Sequence, residues 1–262
     1  MPSTFCCGII ITNIKILCKI FNGESGAHGM NINDISVWEK LQKLLTWEQI
    51  GQINGKRILD FGSGNGITAS YYGAKNQVTA IEPDKETIKD RCTENTYEQI
   101  CGGLDKLKAF EDETFDVILC HNVLEYASEE RTEIINEFAR VIKKGGTLSI
   151  LKHNKPGRIM QMVVLLNNFS HALELLDGKS GKAEKYGSID YYEDEDIVKC
   201  CKKFSIRKIY GMRTFWDLQQ NQDIQKNDDW QKDMLEAERR VSEIEEFKNI
   251  AFFHHILLSR DK

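Results

Sequence analysis

The sequence lacks the cysteine spacing that zinc sites commonly use. Its eight cysteines include no C-x-x-C pair, and the two adjacent pairs, at positions 6–7 and 200–201, cannot both ligate one ion easily. Reduced thiols are the expectation for such a chain, as in a cytoplasmic protein, where disulfides are rare. The sequence therefore predicts a cytoplasmic location and no metal site.

The sequence also lacks an excess of positive charge and a long uncharged apolar run. Its net charge of −5 at pH 7 gives no general attraction to nucleic acid or to an anionic membrane, although a local basic patch stays open. The most apolar stretch, Phe5 to Phe21, contains two lysines and is too short to span a bilayer. We predict that residues 1–29 are an N-terminal extension. A helix or strand laid on the domain, a leader, and a true start at Met30 all remain open.

An internal repeat and a low-complexity linker are missing as well. A chain of 262 residues without such a boundary is expected to form one α/β domain with an insertion or extensions. Strand-like and helix-like runs alternate as far as residue 151, which predicts a doubly wound parallel sheet. Because the pattern then changes, we predict a domain at 30–262 with a substrate-side insertion at about 156–187.

A glycine-rich turn between two short apolar runs is present within Lys56–Asp84. The first run ends at Asp60, the turn has the pattern G-x-G-x-G, and the second run ends at Glu82. Glycines let the backbone take positive φ and approach a ligand closely, and a carboxylate can accept hydrogen bonds from both hydroxyls of a ribose. The order of strand, turn, helix, strand and acid therefore predicts a site for a nucleoside-type cofactor.

Other segments are expected at the same edge of the sheet. The amphipathic pattern of Asn31 to Gln52 predicts a helix that leads into the first strand and could cover the cofactor. A weak third strand ends before Gly103 and Leu104, and a buried-type fourth strand, Phe115 to Cys120, runs into His121. Carboxyl ends of parallel strands meet at one rim, so these residues are candidates for the same site.

Four segments together resemble the class I S-adenosylmethionine-dependent methyltransferases. They are ILDFGSGNG at 58–66, IEPD at 81–84, FDVILCHNVLEY at 115–126 and FARVIKKGGTLSI at 138–150. The resemblance covers about residues 40–260. It implies S-adenosyl-L-methionine as the cofactor and a Rossmann-like, seven-stranded sheet that is mostly parallel, with the last two strands in a hairpin and the final strand antiparallel.

The resemblance also implies the roles of single residues. Asp60 and the first two glycines of the turn would contact the methionine part of the cofactor, and Glu82 would hold the ribose hydroxyls. Leu104 matches the adenine-side position, and His121 would stand next to the sulfonium. The implied cofactor-binding set is Asp60, Gly62, Gly64, Gly66, Glu82, Pro83, Leu104 and His121.

A finer likeness is to the bacterial enzymes that methylate carboxymethoxyuridine at the tRNA wobble position. It rests on HNVLEY at 121–126, GGTLSI at 145–150 and GMRTFWDL at 211–218, together with the lysine loop and the helix described next. The loop contains Lys179, Lys182 and Lys185 before Asp190-Tyr191, and LEAERR lies in a glutamate-rich helix. This likeness implies a tRNA anticodon loop as partner and a methyl ester as product.

Two kinds of methyl acceptor are open from the residues alone. An ionised carboxylate needs no general base but needs a cation, for which Arg213 and the three loop lysines are candidates. An oxygen or nitrogen acceptor needs a base, for which His121, Glu125 and His153 are candidates. We predict His121 and Arg213 as the catalytic residues.

Three broader functions remain possible at this stage. The chain could methylate a small molecule or a modified tRNA wobble uridine, or it could be a degenerate fold that binds the cofactor without catalysis. The intact glycines and Glu82 favour an enzyme. A monomer and a homodimer are both compatible with the sequence.

Overall fold

The computed structural model describes residues 30–183 and 187–261. The predicted N-terminal extension and Lys185 therefore lie outside the described residues. The main sheet has seven strands in the order β3-β2-β1-β4-β5-β9-β8. Its strands are β1 Arg57–Phe61, β2 Gln77–Glu82, β3 Glu98–Cys101, β4 Phe115–His121, β5 Ile142–His153, β8 Phe204–Met212 and β9 Phe253–Arg260.

Helices flank the sheet on both faces. They are α1 Val37–Ile50, α2 Ile67–Gly73, α3 Lys85–Lys89, α4 Leu104–Leu107, α5 Arg131–Val141, α6 Lys155–Val164, α7 Phe169–Leu176, α8 Asp196–Cys200, α9 Asp228–Val241 and α10 Glu245–Lys248. Two 3₁₀ turns, Trp216–Leu218 and Gln222–Lys226, precede α9. A small antiparallel hairpin, β6 Gly181–Ala183 and β7 Gly187–Ile189, lies apart from the main sheet.

The strand directions confirm the predicted sheet. β1 pairs in parallel with β2 and β4, β2 with β3, and β4 with β5. β9 is antiparallel to both of its neighbours, β5 and β8. The fold is therefore a Rossmann-like α/β sheet, mostly parallel, with an antiparallel strand inserted near one edge.

The central strands are buried on both faces. In β4, Ile118 and Cys120 pack into one core cluster together with α5. Val117 and Leu119 pack into the other cluster, under α1. Because successive side chains of a strand point to opposite faces, a buried run such as this one needs helices on both sides.

Several predicted elements differ in extent. The run Leu218 to Phe247, whose charged pattern predicts one long helix, is divided into 3₁₀ turns, α9 and α10. The helix α9 begins at Asp228 because the Asn227 side chain caps it by accepting a hydrogen bond from the Trp230 amide. The helix expected over 85–95 ends at Lys89. The pair Gly145-Gly146, expected to stop a helix, lies inside β5, which begins at Ile142.

The predicted insertion consists of helices and the small hairpin. Its first helix, α6, begins where Gly157 packs against the backbone of Ala251: a Cβ on this glycine would lie 2.0 Å from the Ala251 carbonyl oxygen. Since a Cβ contact that short does not occur, a side chain at this position would force the two segments apart. The close approach places α6 at the carboxyl edge of the sheet, beside the loop that leads into β9.

Candidate functional site

A cavity of about 1050 Å³ lies at the carboxyl ends of β1, β2, β4 and β5. This is the edge at which open α/β sheets bind their ligands. Its walls divide into two parts, which we call the cofactor half and the acceptor half. The cofactor half contains Lys43, Asp60, Gly62, Ser63, Gly64, Asn65, Thr68, Glu82, Pro83 and His121. The acceptor half contains Trp38, Tyr126, His153, Arg158, Gln161, Leu165, Arg213, Trp216, Asp217, Phe252 and Phe253.

The glycine turn has the backbone conformation that its sequence predicts. Gly62, Gly64 and Gly66 have φ angles of 76°, 55° and 70°, which residues with a side chain rarely adopt. A Cβ on Gly62 would lie 2.3 Å from the Cγ2 of Val123, in the loop after β4. The turn therefore needs glycine both for its conformation and for the close approach of the two loops that border the cavity.

Glu82 holds this turn at the end of β2. One carboxylate oxygen accepts a hydrogen bond from the Gly64 amide at 2.8 Å, and the other accepts one from the Asp84 amide at 3.0 Å. Each carboxylate oxygen has more than one acceptor site, so Glu82 can bind these amides and still accept bonds from a ribose. Glu82 and Pro83 both line the cavity, as the family resemblance implies for the cofactor.

Asp60 and Lys43 are two ionisable side chains that line the cofactor half. Oδ2 of Asp60 is buried and has no hydrogen-bond partner among the described residues. Burial raises the pKa of Asp60 to about 7, and the charge of Glu82 adds to this, whereas Lys43 opposes it. Burial lowers the pKa of Lys43, whose Nζ donates to Thr68 Oγ1 at 3.4 Å.

This arrangement fits the cofactor that the resemblance implies. S-adenosylmethionine has an ammonium and a carboxylate on its methionine part. The unpartnered Asp60 oxygen is an acceptor suited to the first, and the Lys43 ammonium is a donor suited to the second. The buried, unsatisfied carboxylate is costly without a ligand, which favours a cationic group at this place.

His121 is the last residue of β4 and lines the cavity between the two halves. Its Nε2 lies 2.9 Å from Ser149 Oγ on the neighbouring strand. Burial lowers the pKa of His121 well below its usual value, and the charge of Lys43 adds to this effect. The imidazole is therefore neutral at neutral pH and able to accept a proton.

Leu104 is not where the resemblance places it. The structure buries it in the main core at the start of α4, with Leu107 and Ile81, and it does not line the cavity. A leucine at the first position of a helix that packs on the sheet is drawn into the core by its apolar surface. The adenine-side role of Leu104 is thus not supported by its position.

Arg213 also differs from its predicted role as a free cation. Its Nε donates to Asp217 Oδ2 at 2.7 Å, its Nη2 bonds the other oxygen of the same carboxylate, and its Nη1 donates to Gln42 Oε1 at 3.1 Å. Its guanidinium carbon lies 4.6–5.0 Å from the centroids of three aromatic rings. Arg213 is therefore a buried part of the cavity wall, and its positive charge is balanced by the Asp217 carboxylate.

Arg158, on α6, is the cation that the sequence reasoning missed. It lies over the Phe252 ring at 5.7 Å from the centroid, and its Nη1 bonds Gln161. Its Nε is buried without a hydrogen-bond partner, and no carboxylate in the described part of the chain forms an ion pair with it. Burial lowers its pKa, but a guanidinium keeps its charge at neutral pH.

The two other candidate bases lie side by side in the acceptor half. The His153 amide donates to Glu125 Oε1 at 3.3 Å, and His153 Nε2 lies 3.3 Å from the Tyr126 hydroxyl. Burial raises the pKa of Glu125 to about 7 and lowers that of His153 to about 3. His153 lines the cavity, whereas Glu125 lies behind it.

Three exposed lysines are paired with acids. Lys179 bonds Glu174, Lys199 bonds Asp196, and Lys208 bonds Glu243. All three lysines are exposed and do not line the cavity. The structure thus brings Asp60, Gly62, Gly64, Glu82, Pro83 and His121 together at the cavity, whereas Gly66, Leu104 and Lys179 do not line it.

Sequence reasoning missed Lys43 as well as Arg158. Lys43 borders the buried stripe of α1, formed by Leu41, Leu44 and Leu45. The available signal in the sequence was a lysine next to this apolar stripe. A long side chain in that position lies close to the surface that the helix covers, and its charged end can reach a site there.

Comparison with known proteins agrees with the fold and the site. Residues 59–150 match the family described as a methyltransferase domain. The ubiquinone/menaquinone biosynthesis C-methyltransferase UbiE of Shewanella sediminis is 27% identical over 185 residues, which are 64% of this chain and 73% of that protein. The protein of the same name in Pseudomonas putida GB-1 is 27% identical over 204 residues, 71% of this chain and 78% of that protein.

Solved structures share the architecture. A putative S-adenosylmethionine-dependent methyltransferase from Listeria monocytogenes superposes with a TM-score of 0.53 at 12% identity, over 86% of this chain and 96% of that one. At this identity the match shows the fold alone. It agrees with the Rossmann-like architecture of the sheet.

Proposed function

We propose that this class I S-adenosylmethionine-dependent methyltransferase methylates a small planar molecule that carries one anionic or hydrogen-bonding group. The enzyme class and the cofactor, S-adenosyl-L-methionine, follow from the matched domain, the fold and the relatives. A degenerate, non-catalytic module is thereby set aside. The nature of the acceptor is the part that is proposed.

The aromatic wall of the acceptor half is the observation that supports this proposal. The rings of Trp38, Tyr126, Trp216, Phe252 and Phe253 all line this part of the cavity. Planar apolar rings stack favourably on such walls, and each buried ring contributes through its area. Arg158 adds one guanidinium that could bind an anionic substituent. Two relatives are named C-methyltransferases of ubiquinone/menaquinone biosynthesis, which supports a small-molecule acceptor.

The residues of the chain hold the reactants and manage one proton. When bound, S-adenosylmethionine supplies a methyl group on a positively charged sulfur. Asp60, Lys43 and Glu82 would hold its polar ends, and Arg158 would orient the acceptor. A neutral His121 can take the proton from an acceptor hydroxyl as it becomes a nucleophile. The aromatic wall excludes water, so that alignment of the two reactants accounts for most of the rate.

A modified tRNA wobble uridine is the second candidate acceptor. Its carboxymethoxy group could also be bound by Arg158, which is the observation in its favour. Three exposed lysines, Lys179, Lys199 and Lys208, are paired with acids, which weakens a phosphate-binding surface. We therefore rank this function below methylation of a small molecule.

Methyl-labelled S-adenosylmethionine tests the two acceptors directly. The protein is incubated with the labelled cofactor and either a low-molecular-weight extract or total tRNA of the source organism. We expect label in a small apolar product and none in tRNA. Label in a tRNA nucleoside would overturn the small-molecule proposal, and label in neither fraction would contradict both.

Once a substrate is known, the variant Arg158→Gln tests whether the methyl acceptor binds in the acceptor half. We expect KM for the acceptor to rise about tenfold, because one charge-assisted hydrogen bond is lost, while the Kd of S-adenosylmethionine is unchanged. Arg57→Gln is the matched control, since Arg57 also lies over a phenylalanine ring, 5.9 Å from the Phe115 centroid, but outside the cavity. A tenfold change in cofactor Kd in Arg158→Gln would place Arg158 in the cofactor half instead.

A further inference from the structure

A row of four buried or half-buried polar side chains joins α1 to the cavity. Gln49 Oε1 lies 2.7 Å from His255 Nδ1, and His255 Nε2 lies 2.8 Å from Ser149 Oγ. Ser149 Oγ lies 2.9 Å from His121 Nε2. Ser149 and His255 are completely buried. Of these four residues, only His121 is part of the site proposed for methyl transfer. Binding of the cofactor and the acceptor therefore does not explain why Gln49, His255 and Ser149 form this row.

The sheet register places these groups on one face. His121 lies opposite Leu151, and Leu151 lies opposite His255, so the three side chains form a row across β4, β5 and β9. Ser149 is two residues before Leu151 and therefore points to the same face. Gln49 reaches this face from α1, which covers it, 206 residues away in sequence from His255.

The hydrogen bonds of this row have one direction. A carboxamide oxygen only accepts, so Nδ1 of His255 carries the proton and donates to Gln49. A neutral imidazole has one N–H, so Nε2 of His255 accepts, and the Ser149 hydroxyl donates to it. The Ser149 oxygen then accepts from His121, whose proton must be on Nε2.

Both histidines are neutral, as this direction requires. Burial lowers the pKa of His255 to about 3, and that of His121 lies well below its usual value. Among the residues that the structure describes, no hydrogen bond reaches Nδ1 of His121. That nitrogen is the free ring nitrogen of a side chain that lines the cavity.

We infer that Ser149, His255 and Gln49 are positioning residues that hold His121 in its Nε2–H tautomer, with an unprotonated Nδ1 available to the cavity. The use of Nδ1 as the proton acceptor rests on the proposed methyl transfer. The tautomer itself does not depend on it.

The row offers a protonated His121 one hydrogen-bond acceptor, Ser149, but does not carry its proton away. A proton taken up at Nδ1 makes His121 an imidazolium, which donates a stronger bond to Ser149. The far end of the row is the oxygen of an amide, which is not a base at neutral pH. The proton therefore leaves from Nδ1 back into the cavity, and not through the sheet.

Nitrogen-15 NMR of histidine-labelled protein measures this arrangement directly, with no substrate needed. A ring nitrogen with a bound proton and one without differ widely in chemical shift. We expect opposite tautomers in one protein, with His121 as Nε2–H and His255 as Nδ1–H. Variants at each histidine assign the signals. His121 as Nδ1–H, or His255 as Nε2–H, would overturn the inference.

Two changes at Gln49 test the direction of the row from its remote end. Glu accepts hydrogen bonds only, so Gln49→Glu should leave both tautomers unchanged. Gln49→Leu removes the acceptor, after which His255 can donate to Ser149 and Ser149 to His121. We then expect His121 to shift toward Nδ1–H. Unchanged His121 signals in folded Gln49→Leu would contradict the coupling.

Ser149→Ala breaks the row at its centre. We expect changed His121 signals, while His255 keeps its proton on Nδ1 because Gln49 still accepts it. Ser205→Ala is the control, since the hydroxyl of this exposed serine of β8 bonds Asp261 and the variant should leave both histidines unaffected. If Ser149→Ala does not fold, Gln49→Leu decides the question, because Gln49 is only half-buried on the helix surface.

Kinetics connect the tautomer to the reaction. With an acceptor in hand, Gln49→Leu should lower kcat about tenfold with little change in the KM of either substrate, because one hydrogen bond that directs His121 is lost. If the NMR signals of Gln49→Leu change as expected but kcat does not, the inferred tautomer stands and His121 is not the base. The two failures are therefore distinguishable.

Discussion

The two halves of the cavity satisfy their polar groups in different ways. In the cofactor half, Glu82 accepts from the backbone amides of Gly64 and Asp84, which lie within about one strand and turn of it. In the acceptor half, side chains bond side chains across long separations: Arg213 bonds Gln42, 171 residues away, and Gln161 bonds Asp217, 56 residues away. A local backbone motif thus builds one half, and tertiary packing builds the other.

Among the variants that test this difference between the two halves, we expect the largest effect at Asp217. Asp217→Asn leaves the Arg213 charge buried without a carboxylate, which should lower the free energy of unfolding by about 3 kcal/mol. Urea unfolding of the variant measures this. Asp223→Asn is the control, because Asp223 pairs with Lys226 at the surface, where such a pair contributes under about 1 kcal/mol. Equal losses in the two variants would show that the buried pair does not organise the acceptor half.

In the cofactor half, the corresponding test is a substitution that displaces the backbone of the glycine turn. Gly62→Ala brings a Cβ within 2.3 Å of Val123 at a φ of 76°, so the turn must move. We expect the Kd of S-adenosylmethionine to rise about 100-fold, from strain and displacement of about 1–3 kcal/mol. Calorimetric titration measures it. Gly145→Ala is the matched control, with a φ of 73°, no atom within 4 Å and no place in the cavity, and it should bind the cofactor normally.

A smaller effect is expected from the carboxylate that holds the turn. Glu82→Gln replaces one acceptor oxygen by an NH₂ group, so the side chain can no longer accept from both amides. The cofactor Kd should rise about tenfold, the value of one net hydrogen bond. Glu98→Gln, on the exposed edge strand β3, should change nothing. Full affinity in Glu82→Ala would refute the ribose role.

The smallest effect concerns the pH dependence of stability in the acceptor half. Burial raises the pKa of Glu125 from 4.5 to about 7, so the folded state keeps a proton that the unfolded state has lost. This contribution to stability is complete below about pH 4.5 and is lost as the pH rises through about 7. From pH 6 to 7.5 the wild type should therefore lose about 1 kcal/mol more than Glu125→Gln. Urea unfolding at both values tests this, and parallel losses would contradict a protonated Glu125.

The same contrast explains how much the sequence could predict. The glycine turn, Asp60 and Glu82 were predictable because their positions follow from one strand-turn-strand run of 29 residues, in which glycine alone suits the backbone. The seven strands were predictable because alternating buried runs permit few topologies. Leu104 failed because its apolar side chain is used by the core, which a motif match does not reveal.

Arg213 shows why the acceptor half could not be predicted. Its partner Asp217 was visible four residues later, but a separation of four residues indicates contact only if the backbone turns there. The structure provides a 3₁₀ turn at Trp216–Leu218, directly after the run Phe204 to Phe215, whose pattern predicts a strand. Arg158 was hidden for a different reason: its role depends on contact with Phe252, which is distant in the sequence.

The position of β9 has a consequence for the order of events during synthesis. This strand, at 253–260, inserts between β5 and β8, which are both made before it. Until β9 has been made, the edges of β5 and β8 that pair with it have no partner strand among the described residues. Such edges are prone to wrong pairing, and contacts of long sequence separation form slowly. Because His255 lies on β9, the hydrogen-bonded row from Gln49 to His121 also requires this strand, whereas the glycine turn lies between the early strands β1 and β2.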